Sequence, residues 1–184
     1  MGFRSTNSIK KYCEGIGGIT MQKELNMEQV KQDYETFIQG KKACVLSFVD
    51  ADAKPFSSTT PFVRLNGKFY VYISRVAEHF KLMEQAQFVD VICVADEAVT
   101  ANPFAPERAR WQCTPTYLGN EGHEDVFALF DDVQNAKMMQ LLRTLDFSLF
   151  ELTPLEGRYV VGFGKAFDID VTTDTLKHVV IDKK

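Results

Sequence analysis

The chain has 184 residues, of which 45% are hydrophobic and 25% are charged. These proportions are typical of a globular protein with one core, and they exclude a chain that is disordered over most of its length. The formal net charge of -4 gives no basic surface for a phosphate backbone, so no nucleic acid is expected as a partner. No apolar run approaches the roughly 20 residues that span a bilayer, and the first residues lack the apolar core of a signal peptide. We therefore expect a cytoplasmic protein with no membrane partner.

The first part of the chain separates into an arm and a helix. Residues 1–24 carry Gly15, Gly17 and Gly18 with scattered charges and no sustained period, and we interpret them as a poorly ordered N-terminal arm. A helical period begins after Asn26, which can cap the helix, and Gly40 can close it. We expect residues 25–184 to form a single domain that opens with this helix.

Strand-like segments dominate the rest of the chain. Segments rich in β-branched and aromatic residues occupy 43–49, 55–65 and 68–74, and the Asn66-Gly67 pair between the last two is a strong hairpin signal. The later elements are a helix over 76–86, strands over 88–96 and 107–118, helical patches over 123–133 and 135–145, and a strand pair over 147–154 and 158–170 joined across Glu156-Gly157. About six antiparallel strands with helices between them predict a closed or partly closed barrel in an α+β protein.

The segment over 70–83 indicates a possible anion site. A strand ends at Ser74 and a helix opens near Ala77, so backbone N–H groups collect at the helix N-terminus beside Ser74, Arg75 and His79. Unpaired N–H groups and the helix dipole favour negative charge there, and a phosphate would fit. The alternative is that His79 only packs or faces solvent on a surface helix, and spacing alone favours that alternative.

Two further polar groups are candidates for ligand binding. Arg108 and Arg110 alternate along a predicted strand, so one face carries two guanidinium groups that could bind a phosphate or a carboxylate. Alternatively, the two arginines could lie on a solvent-exposed edge strand and bind no ligand. The polar run over 57–60, with Ser58 and Thr60 as the candidate donors, could offer hydroxyls to a flavin, or it could form the outer face of a sheet.

The remaining chemistry-bearing residues carry weaker signals. Asp146 follows a leucine-rich helix end and could orient a ligand, although a turn or cap role is the commoner use of such a residue. The three histidines, which include His178, show no metal-ligand spacing, and the four cysteines contain no CxxC pair. No metal site is therefore expected.

The sequence contains, in this order, the segments ISRVAEHFKLM, NPFAPERARWQ, LDFSLFELTP and YVVGFGKAF. Their order and spacing resemble those of split-barrel proteins of bacterial haem utilisation. Over roughly residues 27 to 178, the chain resembles this HugZ and HutZ type branch of the FMN-binding split-barrel, or pyridoxamine 5'-phosphate oxidase-like, superfamily. The combination is more specific than any one segment.

The resemblance implies an α+β fold with a six-stranded antiparallel split β-barrel and flanking helices. It also implies a homodimer that binds its ligand in a cleft shared by two subunits. In the wider superfamily, the position of His79 commonly holds a basic residue near the FMN phosphate. In the haem branch, a histidine matching His79 and an arginine matching Arg108 or Arg110 are functionally important, and an acid matching Asp146 supports the haem-ligating histidine.

The expected function follows from these matches and from one departure. The first expectation is a flavoprotein of the oxidoreductase type, with FMN phosphate held by Ser74, His79 and an arginine. The alternatives are a haem-binding or haem-degrading protein of iron acquisition, and a dimer that stores a cofactor without catalysis. Haem-degrading relatives hold the iron through a C-terminal Gly-His motif, which has no counterpart at the VVIDKK end of this sequence. Haem oxygenation by the family mechanism is therefore not expected, unless another group such as His178 takes the axial role.

Overall fold

The computed structural model describes residues 25–180, and the predicted arm over residues 1–24 lies outside the described residues. Strands and helices alternate along this part of the chain. The strands are β1 (Ala43–Val49), β2 (Pro55–Leu65), β3 (Lys68–Ser74), β4 (Val89–Val94), β5 (Arg108–Gly119), β6 (Phe147–Val160), β7 (Ala166–Asp170) and β8 (Thr175–His178). The helices are α1 (Met27–Gln39), α2 (Glu78–Gln85), α3 (Glu124–Phe130) and α4 (Ala136–Leu142), with a π turn over Asp131–Asn135 between the last two.

Six of the strands close an antiparallel barrel. They lie in the order β3-β2-β1-β4-β5-β6, and the pairing of β3 with the first half of β6 closes the ring. β7 and β8 continue the sheet from the second half of β6. The predicted α+β fold, a six-stranded antiparallel split β-barrel with flanking helices, is confirmed, and it carries two additional strands.

The local signals for α1 and for the first hairpin are also confirmed. The Asn26 side chain accepts hydrogen bonds from the backbone N–H groups of Glu28 and Gln29 at the start of α1. Asn66 and Gly67 both have positive φ, of 51° and 78°, as a two-residue hairpin turn requires. The hairpin fixes the register in which Leu65 faces Lys68.

The barrel is split between β2 and β3. Register pairing joins β2 to β3 only from Phe62 to Leu65, whereas the first half of β2, Pro55–Pro61, pairs with β1 alone. We call Pro55–Pro61 the open half of β2. It lies beside the β3–α2 connection, and this opening positions the candidate site described below.

Helices α1 and α2 pack against opposite ends of β5. Tyr34 of α1 lies 6.4 Å from the ring of Trp111, near the start of β5. Phe80 of α2 lies 6.1 Å from the ring of Tyr117, near the end of the same strand. Between them the barrel interior is filled by large buried side chains, which include Phe69, Trp111, Phe150, Tyr159 and Phe167. A second, smaller cluster lies between the α3–α4 segment and the outer face of β3.

The predicted turn at Glu156-Gly157 is wrong. Both residues lie within β6, a single strand of 14 residues, and the chain reverses later, between Val161 and Lys165. Gly157 faces Trp111 across the β5–β6 pairing, and a Cβ atom at position 157 would lie 2.6 Å from the Trp111 ring. The glycine therefore allows the indole to approach the strand, and it does not mark a turn.

The predicted helical patches over 123–133 and 135–145 form two short helices. Asn135 caps the second of them, since its side chain accepts a hydrogen bond of 3.1 Å from the backbone N–H of Met138. Within residues 25–180, no helix has both the length and the apolar character that crossing a membrane would need.

Candidate functional site

The β3–α2 connection is held by an acid from a distant part of the sequence. The Ser74 hydroxyl donates a hydrogen bond of 2.8 Å to Asp146 Oδ2, and the backbone N–H of Val76 donates one of 3.2 Å to the same oxygen. The backbone N–H of Arg75 donates to the Asp146 carbonyl at 3.0 Å. Asp146 reaches this position because it directly precedes β6, whose first half pairs with β3. The carboxylate therefore occupies the place that the sequence analysis offered to an external anion.

The charge of Asp146 is stabilised by these contacts. The Ser74 hydrogen bond, as the largest cause, together with the backbone N–H groups of Val76 and its neighbours, holds the pKa of Asp146 below its ordinary value. Asp146 is thus ionised at neutral pH, and it gives the connection a fixed negative charge.

The exposed Arg75 lies beside this turn with its guanidinium group partly paired. Its Nε donates a hydrogen bond of 2.8 Å to the Ser148 hydroxyl, and one terminal nitrogen lies 3.4 Å from the Tyr117 hydroxyl. These bonds fix the side chain along the start of β6 and the end of β5. The remaining N–H groups of the guanidinium can bind an anionic group of a ligand.

His79 of α2 joins the open half of β2. Its Nδ1 lies 2.9 Å from the Ser58 hydroxyl oxygen, and the two residues are 21 positions apart in the sequence. Burial lowers the pKa of His79 below its ordinary value, so the imidazole is neutral at pH 7. Among the hydrogen bonds of residues 25–180, none involves Nε2 of this ring. A neutral imidazole with one nitrogen held and the other available is the form in which histidine binds a metal.

The structure thus brings Ser74, Arg75 and Asp146 together at one turn, and it places Ser58 and His79 beside that turn. The other candidate residues from the sequence lie apart from this group. Thr60 is buried, and its hydroxyl donates to the Pro61 carbonyl at 3.2 Å.

The two arginines of β5 lie at the far end of that strand. Arg108 donates to the Pro106 carbonyl at 3.1 Å, and Arg110 forms an ion pair of 2.9 Å with Asp90 of β4. Tyr117, which contacts Arg75, lies seven residues beyond Arg110 along β5. This separation corresponds to roughly 23 Å in an extended strand. Within one subunit the arginines therefore do not reach the β3–α2 connection, and their predicted role in ligand binding stays a prediction.

His178 is also remote from this turn. It ends β8, where its Nε2 lies 3.1 Å from the Gly164 carbonyl and its ring packs on Phe167. In the described part of the chain, no group of three or more histidine, cysteine or acidic residues could hold a metal ion.

Two partners in this region were missed by the sequence analysis. Ser148 and Tyr117 both contact Arg75, and Ser148 is completely buried. Ser148 is a polar residue in the otherwise apolar segment FSLF, and its polarity at this position is the sequence signal that could have identified it as a site residue. Its contact with Arg75 depends on the β3–β6 pairing that closes the barrel, which no local pattern predicts.

A wide cleft within residues 25–180 lies away from this turn. It has a volume of about 620 Å³ and is bounded by the β1–β2 turn, the end of α2 and the start of β4. A second groove of about 420 Å³ lies between α4 and the outer face of the barrel, with mainly apolar walls. Neither is lined by a histidine.

Comparison with known proteins gives a consistent result for the fold. No family model matches the chain. Over 143 residues the chain is 27% identical to the haem oxygenase HutZ of Vibrio cholerae, and the match covers 77% of this chain and 81% of HutZ. The solved structure of HutZ, there called a haem storage protein, has a TM-score of 0.67 at 26% identity and covers 71% of this chain and 95% of HutZ.

Two other solved structures extend the comparison. ChuZ of Campylobacter jejuni has a TM-score of 0.77 at 25% identity, over 88% of this chain and 68% of ChuZ. A protein of the pyridoxinephosphate oxidase family from Clostridium acetobutylicum, related to general stress protein 26, has a TM-score of 0.59 at 9% identity, over 79% and 97% of the two chains. At that identity it shows the fold alone. The chain has the split-barrel fold of the pyridoxamine 5'-phosphate oxidase-like proteins, and in sequence it resembles the haem proteins HutZ and ChuZ.

Proposed function

We propose that this chain binds haem as a protein of bacterial haem utilisation. The sequence analysis put FMN first and haem second, and the comparisons favour the second reading because a relative matched over most of both chains is a haem protein. The observation that supports haem on physical grounds is the hydrogen bond between His79 and Ser58 at the open half of β2.

The β3–α2 connection is a poor site for an FMN phosphate. The Ser74 hydroxyl and the Val76 N–H, which would have bound the phosphate, already donate to Asp146. A phosphate beside this ionised carboxylate would meet like charge and would have to displace two charge-assisted hydrogen bonds. FMN binding at another position stays a prediction, and the titration described below tests it.

His79 fits the role of an iron ligand. Its lowered pKa keeps the ring neutral, so no proton has to leave before the nitrogen binds iron. The hydrogen bond between the Ser58 hydroxyl and His79 Nδ1 orients the ring and leaves Nε2 available. The resemblance assigned a functional role to this histidine, and the geometry supports a direct contact with haem.

Arg75 fits the role of a partner for a haem propionate. Its guanidinium is exposed, and the bonds to Ser148 and Tyr117 hold it beside the turn from which α2 and His79 follow. A carboxylate bound by the free N–H groups would gain a charge-assisted pair without an ordering cost for the arginine side chain. Asp146 and Ser74 would act by holding this turn in position.

Bound haem would supply an iron centre that binds small ligands and exchanges electrons. The protein residues would orient the group, bind its carboxylates and exclude water from one face. Because one and the same relative is called an oxygenase and a storage protein, we propose binding as the activity and leave haem degradation as the alternative to be tested with a reductant.

An absorption titration tests the proposal. Full-length protein is titrated with haemin and, separately, with FMN, and His79→Ala and His123→Ala are compared with the wild type. We expect a saturable haem band in the wild type, and an affinity at least about tenfold weaker with an altered band in His79→Ala, because the bond from His79 to the iron would be lost. His123→Ala, which changes a histidine at the start of α3, should behave as the wild type.

Each outcome has a defined meaning. Stoichiometric FMN binding without saturable haemin binding would contradict the proposal and favour the flavoprotein. Saturable haemin binding with an unchanged band in His79→Ala would leave haem binding standing and remove His79 as the ligand. Loss of the haem band after addition of ascorbate in air would indicate degradation, and a stable ferrous complex would indicate storage.

A homodimer and a cytoplasmic location remain proposals. The dimer is implied by the resemblance, and the open half of β2 is a sheet edge that a second copy could cover. The three cysteines in the described part of the chain are buried thiols, which need no oxidising compartment.

A further inference from the structure

The apolar groove beside α4 lies at the point where the barrel splits. Its volume is about 420 Å³, and its walls include Pro61 of β2, Tyr72 of β3, Phe130 of α3 and one side of α4. The pairing of β2 with β3 ends at Phe62, so the next pair in the register, Pro61 with Tyr72, is not formed. The groove therefore straddles the opening between these two strands.

The groove is separate from the proposed haem site. Ser58 and Phe62 lie on one face of β2, and Phe62 belongs to the barrel core. Pro61 lies on the opposite face, because side chains alternate along a strand. Tyr72 likewise belongs to the cluster on the outer face of β3. A ligand in the groove would therefore lie on the other face of the sheet from the hydrogen bond between Ser58 and His79.

Helix α4 is apolar on two sides, and only one of them is covered. Met139 is 3% exposed and packs in the outer cluster. Met138 and Leu141, three positions apart, are 53% and 55% exposed, and both line the groove. A surface helix normally buries its apolar face and presents polar residues to water. The second apolar side of α4 therefore indicates a binding surface.

The π turn before α4 fixes part of the lining. The Gln134 side chain donates hydrogen bonds of 2.8 Å and 3.4 Å to the backbone carbonyl groups of Lys42 and Phe62. Asn135 caps α4 through the backbone N–H of Met138. Both amide side chains thus hold the groove in shape, as is usual for small-molecule sites, which are largely preformed. Single π turns are also frequent at functional sites.

Among the described residues that line the groove, Lys137 alone is charged. The other lining residues are apolar or carry amide or hydroxyl groups. Lys137 is exposed, and its ammonium group takes part in none of the ion pairs within residues 25–180. An amphiphilic anion that enters the groove would therefore meet one cation and no carboxylate in the lining.

We propose that this groove binds a fatty acid. The alkyl chain lies between α4 and the opening at Pro61 and Tyr72, and the carboxylate pairs with Lys137. The volume lies within the range of roughly 300 to 1,000 Å³ that is typical of small-molecule sites. The thioethers of Met138 and Met139 adapt to the shape of the chain, and a single cation matches a single carboxylate. Each CH₂ group that the groove buries should strengthen binding about fourfold until the groove is full.

Methionine methyl groups report on occupancy, since Met138 and Met139 line the groove and Met83 is buried in the barrel core. Full-length protein without haem, isotope-labelled at these methyl groups, is titrated with dodecanoate below its micelle concentration and observed by NMR. We expect saturable shifts of the Met138 and Met139 resonances and none of the Met83 resonance. Calorimetry with octanoate, decanoate and dodecanoate should show an affinity that rises with chain length. Dodecyltrimethylammonium, which has the same chain and the opposite charge, should bind at least about fivefold more weakly.

Two pairs of variants at exposed positions assign the contacts. Lys137→Gln should weaken dodecanoate binding about two- to fivefold, the range for an exposed ion pair, and Lys177→Gln on β8 should leave it unchanged. Leu141→Gln should weaken binding at least about fivefold, because an apolar part of the wall is lost. Leu155→Gln, at a leucine of β6 that is 47% exposed, should bind as the wild type does.

The proposal fails if dodecanoate gives no saturable shift of Met138 and Met139, or if Met83 shifts in step with them, which would indicate a detergent effect. It also fails if affinity is independent of chain length, or if Lys137→Gln binds dodecanoate as tightly as the wild type. If light scattering shows a dimer whose Met138 resonance changes on dilution and which binds no dodecanoate, a second copy occupies the groove instead. Haemin binding is measured separately, and its outcome does not decide this test.

Discussion

Asp146 shows how one residue can replace an external ligand. The sequence indicated an anion site at the β3–α2 connection, and the structure supplies the anion from the chain itself, through hydrogen bonds from Ser74 and Val76. The residue types at this turn were predictable, because a strand end followed by a helix start exposes N–H groups. Their partner was not predictable, because Asp146 is 72 positions from Ser74 and arrives only through the β3–β6 pairing.

The lowered pKa of Asp146 makes its contribution to stability depend on pH. The pKa in the folded state lies below that of the unfolded chain, so the contribution is complete above the unfolded value of about 3.9 and is lost as pH falls through the folded value. Asp146→Asn can accept the same hydrogen bonds but does not titrate. We expect the difference in free energy of unfolding between wild type and Asp146→Asn to shrink between about pH 6 and pH 2.5.

Urea unfolding across this pH range measures the effect. Asp132→Asn, at an exposed position on the π turn, removes the same charge and serves as the control for net charge. A difference between wild type and Asp146→Asn that stays constant with pH would mean that the carboxylate contributes no charge-dependent stability.

At the scale of the element, β6 joins the barrel to the two additional strands, and Gly157 lies in its second half. Gly157→Ala would place a Cβ atom 2.6 Å from the Trp111 ring and 3.0 Å from Ile169 Cδ1. Trp111 is fully buried, so the strand or the indole must shift, at a cost of about 1 to 3 kcal/mol. Denaturant unfolding should show a lower midpoint for this variant.

Gly40→Ala is the matched control for that substitution. Gly40 has an ordinary helical φ of -75°, and the nearest atom to an added Cβ is 3.4 Å away. Its effect on stability should be small, because the backbone needs no left-handed conformation there. Equal losses in the two variants would show that the contact with Trp111 does not constrain β6.

The two hairpin signals in the sequence had opposite outcomes. Asn66-Gly67 was informative because both residues take a backbone conformation that most side chains avoid. Glu156-Gly157 was misleading, because a glycine in a strand can also serve the close approach of a large ring, and the sequence does not say which ring is near. Local backbone chemistry could thus be predicted, whereas contacts between strands that are distant in sequence could not.

The same limit applies to the site at the scale of the whole molecule. The resemblance predicted the six-stranded barrel correctly, but the grouping of the site residues depends on how the barrel is closed and split. Ser58 and His79 meet because β2 pairs with β3 only from Phe62 onward and because α2 lies beside the open half. Arg108 and Arg110 lie at the far end of β5, so a joint action with His79 requires a second subunit.

This requirement leads to a prediction about assembly. The open half of β2 has hydrogen-bond groups facing away from β1, and an uncovered sheet edge favours association with another chain. We expect light scattering to give about twice the monomer mass of 20.9 kDa, with dissociation on dilution. Amide hydrogen exchange over residues 57–60 should become faster as the dimer dissociates.

A dimer would also explain why the candidate residues of a single subunit form two separate groups. If a second copy covers the open half of β2, it can bring its own β5 arginines to the cleft beside His79, and haem affinity would then fall with the fraction of dimer. A protein that is monomeric at all concentrations, with unchanged haem affinity, would contradict this arrangement. The cleft would then consist of His79, Ser58 and Arg75 of one chain, and the arginines of β5 would have no part in it.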